Sequence, residues 1–347
     1  MNSDQPARLI HVLGNPDEAV QSTVNLLQRD PDLASRISNL LVAFRDIADL
    51  IPQTLDKFGS GHFFPFIEAE TELNSAILLA QRGFYRYALV ALRTVLELGL
   101  LSTYWDRADR AEVEIQDWLH SVTPTPRAAE ILKGLRTIPA VRAFEQSFDL
   151  AKLLHEIYGE LSNFVHTRGY RFSSQNLNRA NVVQFNETAF RHWADCFQSV
   201  VRLVIIVHLL KYPVGLQSTP LMTKFGMNEP AGGFLNPSQA HRIRKVLTPG
   251  QAEVLQRISD ADPSAVALAL HIQEMPDISD EEFEQQVLEF DKRMIQMQGF
   301  HAWSEQELET YRSIRDPNPE VFAEVQKRIE ALREWAEANG FMERRNP

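Results

Sequence analysis

Two stretches decide how this chain is read: Ala91-Leu92-Arg93-Thr94-Val95-Leu96-Glu97, and Leu161-Ser162-Asn163-Phe164-Val165-His166-Thr167-Arg168-Gly169. Each sets groups that ionise or hydrogen-bond into an apolar run of helical period. Burying such groups costs free energy that a partner must offset. Arg93 and Glu97 lie one turn apart on one helix face and can pair. Around the second stretch, His155, Tyr158, Ser162 and His166 follow one stripe, with Asn163 beside it. If the two helices pack side by side, Arg93, Glu97 and His166 share one site.

Working outward from these stretches, nearly every segment has a helical period and strands are scarce, so the expected class is all-α. Four long helices are predicted at 63–82, 85–106, 143–166 and 187–210, each with a broad apolar face that a neighbour must cover. They are expected to form a central four-helix-type bundle. The predicted organisation is N-terminal helices at 1–58, the bundle at 62–212, a linker at 213–235 and an acidic helical domain at 236–347. Gly59-Ser60-Gly61 reads as a hinge before the bundle. Tyr170 to Asn186, polar and directly after His166, reads as a flap over the site. In the C-terminal region Asn236-Pro237, Thr248-Pro249, Asp262-Pro263 and Asn318-Pro319 each join an N-cap residue to a proline at the first helical position. Ser304 with Glu307 fits a further capping box.

The single cysteine among 347 residues, Cys196, excludes an internal disulfide framework and suits a reducing compartment. The N-terminus has no basic region followed by an apolar run, and Leu203 to Leu210 is too short to span a bilayer. A cytoplasmic protein without membrane association is expected. The formal net charge of -11 belongs to the C-terminal part, where residues 251–347 hold 10 Lys and Arg against 21 Asp and Glu. Arg168 to Lys224 runs the other way, with 7 basic residues against Glu187 and Asp195. That stretch can meet an anion, whereas the acidic C-terminal module, with Phe283, Phe290, Phe300, Trp303, Phe322 and Trp335 at helical spacing, suits a basic protein partner. The histidines show no metal-ligand spacing, and no Gly-rich phosphate loop appears, so neither a metal nor a cofactor is expected.

The order of motifs is a helix with Arg-x-x-x-Glu (Arg93, Glu97), a long helix ending in Leu-Ser-x-x-Val-His (Leu161 to His166), Gly169 shortly after, and a further apolar helix. Over residues 62–212 this resembles the HEPN-like helical bundles of prokaryotic toxin, antiphage and related proteins. That resemblance implies a dimer or larger homo-oligomer and contact with RNA or a nucleotide. In the family an Arg lies four to six residues before the His, and the pair cleaves RNA. Here Leu161, Glu160 and Gly159 hold those positions, and His166 alone carries over. The resemblance therefore implies a binding or regulatory relative in a defence or toxin–antitoxin setting, with Tyr158, Ser162, Asn163, Arg168 and Arg171 as further contacts. A metal-independent ribonuclease is the alternative, with His166 as base and Arg93 or Arg168 as the cation for the phosphorane charge. A third reading is a protein–protein adaptor in which Arg93, Glu97 and His166 form a buried network. Leu247 to Leu255 resembles the opening of a response-regulator helix-turn-helix domain, but the next helix, Ser264 to Gln273, has no Lys or Arg for phosphates, so DNA is not an expected partner.

Overall fold

Short polar residues followed by proline set where many of the helices begin. Asn15, Asp30, Asn236, Thr248, Asp262 and Asn318 each precede a proline and accept a hydrogen bond from a backbone N–H of the first turn. Each cap satisfies one of the N–H groups that a helix start leaves open. The computed structural model describes residues 14–52, 63–106, 112–179, 183–228, 230, 232–312 and 318–343. Among them the chain is all-helical, and its β-pairing is one bridge between Gly14 and Val183.

The first helices are α1 (Pro16–Arg29), α2 (Pro31–Asp46), α3 (Phe64–Gln81) and α4 (Tyr85–Trp105). Three short ones follow, α5 (Glu112–Leu119), α6 (Ala128–Leu135) and α7 (Pro139–Glu145). Then come α8 (Leu150–Val165), α9 (Ser174–Asn178), α10 (Glu187–Lys211) and α11 (Leu221–Phe225). The C-terminal helices are α12 (Pro237–Val246), α13 (Pro249–Ala261), α14 (Pro263–Glu274), α15 (Asp280–Gln298), α16 (Phe300–Arg312) and α17 (Pro319–Asn339).

Two compact units result. One comprises Met1–Thr219 with Pro230–Glu274, the other Pro220–Glu229 with Met275–Pro347. The predicted boundary at 235/236 therefore differs from the observed division. Helices α12 to α14 belong to the first unit because their apolar faces close on it: α12 packs on α2, and α13 packs on α7 and α10. Arg242 adds a two-pronged bond to the buried Asp46, both contacts at 2.8 Å. The expected linker is partly built in, since Leu216 and Leu235 join the core of the first unit. Gly59-Ser60-Gly61 lies outside the described residues.

In the first unit α4 packs against α3, α10 and α8. Leu89, Leu92, Val95 and Leu96 are fully buried, each worth about 1.5–3 kcal/mol in transfer free energy. Gly99 lets α10 approach, because a Cβ there would stand 2.7 Å from Val204. By length and composition α4 and α10 are apolar enough to cross a membrane; here both are mostly buried among the other helices of this unit.

Two predicted helix limits change. The helix expected at 143–166 is two helices, because Asp149 leaves the helix and caps α8 by accepting from Lys152 N at 2.9 Å. Ser304 lies inside α16 and donates back to His301 O at 3.1 Å, so it is not a cap; the helix begins directly after Gly299, whose φ of +87° suits glycine. In the second unit Ile295, Phe300, Trp303, Ile329, Leu332 and Ala336 form the core.

Candidate functional site

Arg86, Arg93 and Glu97 recur at intervals of seven and four along α4, which places them on one face. That face meets α8 running the opposite way. Arg86 reaches the end of α8, donating from Nε to Phe164 O at 3.0 Å and from Nη2 to Val165 O at 3.2 Å. It thereby satisfies two C-terminal carbonyls of α8 and sets a cation at the negative end of the helix dipole.

Two turns earlier on α8, Arg93 and Glu97 meet Tyr158. Arg93 donates from Nε to Glu97 Oε1 at 3.3 Å and from Nη2 to the Tyr158 hydroxyl at 2.7 Å. The Tyr158 hydroxyl in turn donates to Glu97 Oε1 at 2.9 Å. The Arg93 guanidinium also lies 4.7 Å from the centre of the Tyr158 ring, within cation–π range. Burial raises the Tyr158 pKa first, and the Glu97 carboxylate raises it further against the opposing pull of Arg93. The hydroxyl keeps its proton, and the three groups close on one another.

His166 stands apart from this triad. It is the exposed residue just past the end of α8, eight residues beyond Tyr158, or about 12 Å along a helix axis. Among the described residues its imidazole has no hydrogen bond or ion pair. Arg168 is likewise exposed and unpaired among them. Asn163 is half-buried and contributes its carbonyl to Arg168 N at 2.9 Å. The Ser162 hydroxyl oxygen is buried and has no partner. His155 is exposed and, with Tyr158, Leu132 and Leu154, lines a groove of about 630 Å³ between α6 and α8.

The opposite flank of α8 opens on a second cleft, of about 400 Å³, in which Arg171 is the one residue among the sequence-predicted contacts. Glu160 and Phe164 come from α8, Arg171, Asn176 and Arg179 from the segment after it, and Asn186, Thr188 and His192 from the start of α10. His192 Nε2 lies 3.6 Å from Glu160 Oε1, and its ring is 5.8 Å from that of Phe164. Arg171 rests over the Phe172 ring at 5.2 Å, and neither Arg171 nor Arg179 has an ion-pair partner among the described residues. The cleft therefore offers two open cations and a partly exposed imidazole, with the Glu160 carboxylate beside it and the buried Phe164 ring behind it. Such a set suits an anion rather than an apolar ligand. Cys196 lies 3.9 Å from the same imidazole nitrogen, but burial, reinforced by Glu160 and Asp195, pushes its thiol up to about 12. It stays protonated and is no nucleophile near neutral pH.

The segment expected as a flap is a folded strap. Asn178 is buried and donates to Gly83 O at 2.8 Å and Gln184 O at 3.2 Å; Gln184 donates back to Asn178 O. Asn186 donates from its side-chain amide to Leu177 O at 2.6 Å and from its backbone N–H to the Tyr85 hydroxyl oxygen at 2.9 Å. Gly83, at φ +81°, is required there, since a Cβ would stand 2.6 Å from Gln184 O. Val182 lies outside the described residues. Left-handed backbone occurs at two non-glycine residues here, Thr167 (φ +47°) just before the strap and Arg179 (φ +57°) within it. For L-residues that region costs roughly 1–2 kcal/mol each.

Comparison of the chain with protein families, with curated proteins and with solved structures finds no match.

Proposed function

We propose that this chain is a HEPN-like helical-bundle protein that binds RNA or a nucleotide and regulates rather than cleaves, in a prokaryotic defence or toxin–antitoxin setting. In this reading α3, α4, α8 and α10 are the four helices of the bundle, and a homo-oligomer in the cytoplasm is its working form. The observation that carries it is the pair of unpaired arginines, Arg171 and Arg179, at a cleft that also holds His192 and Phe164. Guanidinium groups suit phosphate, the partly exposed His192 ring offers a face for a base, and the basic balance of 168–224 gives the local field the right sign. Cleavage is the weaker reading. Arg93, the cation nearest in sequence logic, is engaged by Glu97 and Tyr158, and His166 stands alone two turns away.

The test is fluorescence anisotropy with a labelled single-stranded RNA of about ten nucleotides and with labelled AMP. Wild type is expected to bind at least one of them, and Arg171→Ala with Arg179→Ala to lose about tenfold in affinity, as for removal of charged contacts. No binding of either probe, or binding unchanged in the double variant, sinks the proposal. A parallel ribonuclease assay is expected to find no turnover in wild type or His166→Ala; cleavage that depends on His166 restores the enzyme reading.

A further inference from the structure

The second unit presents an apolar groove with an acidic rim. It forms where the segment 220–228 is clamped onto the start of α15. Lys224 Nζ donates to Met275 O and to Asp277 Oδ1, both at 2.6 Å, Ile278 N donates to Thr223 O at 3.0 Å, and Met227 N donates to Gln286 Oε1 at 2.8 Å. Gly226, at φ +61°, makes the approach feasible, because a Cβ would stand 2.4 Å from Gln286 Oε1. The groove between them, about 730 Å³, has Phe225, Met275 and Ile278 in its wall. It is held by one backbone–backbone bond and three bonds that use the Lys224 and Gln286 side chains, so an occupant need not order it first.

Beside this groove runs an apolar stripe. Phe283, Phe290 and Met297 repeat every seventh residue along α15 and are 36%, 43% and 65% exposed. Phe300 and Trp303 are core residues, whereas the core of this unit closes without Phe283, Phe290 and Met297. The surrounding charge is one-sided. Residues 280–291 contain six carboxylates and no cation. Lys224, the one cation among the residues lining the groove, is held by Asp277. Glu281, Glu282 and Glu289 line the groove without an ion-pair partner among the described residues. Over its two segments this unit carries 10 Lys and Arg against 18 Asp and Glu.

We infer that this face of the second unit is a docking surface for a basic amphipathic helix of a partner protein, with apolar side chains seated on Phe283, Phe290 and the groove, and Lys or Arg facing Glu281 and Glu289. An apolar seam rimmed by one sign of charge selects a helix with the complementary rim. An acidic helix is rejected by the same field. This inference is independent of the RNA or nucleotide reading, since it uses no residue of the first unit.

The experiment uses the full chain and a labelled 20-residue helical peptide with leucines at i, i+3, i+4 and i+7 and lysines on the remaining face. Two controls carry glutamate for lysine or the same residues scrambled. Anisotropy is expected to show binding of the lysine peptide, weakened by about tenfold on raising salt from 50 to 300 mM because the rim charges are screened. Phe283→Ser with Phe290→Ser is expected to lower affinity by about tenfold or more, as loss of central apolar anchors does. Glu281→Gln with Glu289→Gln, which leaves the apolar residues in place, is expected to remove most of the salt dependence. Equal binding of the glutamate or scrambled peptide, no binding of the lysine peptide, or insensitivity to both double variants overturns the inference. Concentration-dependent self-association abolished by Phe290→Ser also overturns it, by making a second copy the occupant.

Discussion

The two compact units meet the same problem, a titratable side chain inside an apolar core, in opposite ways. In the first, His208 is fully buried on α10, edge-on to Phe66 at 5.3 Å, with Nδ1 2.8 Å from Val204 O and no partner for Nε2. Burial pulls its pKa down to about 4, against a smaller upward pull from the Val204 carbonyl, so it stays neutral. In the second, Asp291 is buried on α15 with Oδ2 3.2 Å from Arg328 Nε, an ion pair short of hydrogen-bond geometry. Burial lifts its pKa to about 6; Arg328 opposes this, Glu307 adds to it, and a hydrogen bond from Trp303 opposes it. One core excludes a charge and the other strains to hold one. The two units therefore respond to pH with opposite sign.

The largest consequence falls on the first unit. A histidine whose folded pKa lies below its unfolded value contributes stability that is present above about 6.5 and is lost as pH falls through about 4. The contribution is about 3 kcal/mol. Hydrogen exchange of the α4 and α10 amides, corrected for intrinsic rates, is expected to lose about that much protection between pH 6.5 and 4, whereas His208→Leu is expected to be flat over this window. An equal acid response in His208→Leu would place the sensitivity elsewhere in the core.

The next effect is smaller and reversed. Asp291, with its folded pKa above the unfolded value, contributes stability that is present below about 3.8 and is lost as pH rises through about 6. Protection of the α15 and α17 amides is expected to fall over that rise in wild type and to stay level in Asp291→Asn. If both units lose protection in the same direction, the contrast between their cores is broken.

The smallest expected effect sharpens the separateness of the units. Glu97→Gln removes a charge-assisted acceptor shared by Arg93 and Tyr158 in a pocket that leaves Glu97 about one-third exposed. A cost of about 1 kcal/mol is expected, confined to the first unit. Differential scanning calorimetry would read this as a shift in one transition; a shift in both would show that the two units melt as one.

These contrasts bear on what a sequence discloses. Helix starts were legible because Asn236-Pro237 or Thr248-Pro249 encode both the cap and the first dihedral locally. The pairing of Arg93 with Glu97 was legible for the same reason, being one turn of one helix. The break at Asp149 was hidden because Phe144, Phe148 and Ala151 keep a helical apolar spacing across it, and the cap at Asp149 prevails. The unit boundary was hidden because the chain leaves the first unit at 220, returns at 230 and leaves again at 275. The cleft of Arg171, Arg179 and His192 draws on three segments whose register is set by tertiary contacts, above all by Asn178 and Arg86. A useful sign was present, since Arg86 lies seven residues before Arg93 on the same face.

The left-handed backbone at Thr167 and Arg179 has a consequence for engineering. Both sites would accept glycine without steric penalty, so Thr167→Gly and Arg179→Gly trade relief of a strained dihedral against the greater freedom of an unfolded glycine. At Thr167, a β-branched residue in a region such residues avoid, the exchange favours the variant. At Arg179 the same exchange deletes a guanidinium from the cleft. A thermostabilised version of this protein can therefore begin just before the strap, at Thr167, and must leave Arg179 within it as it is.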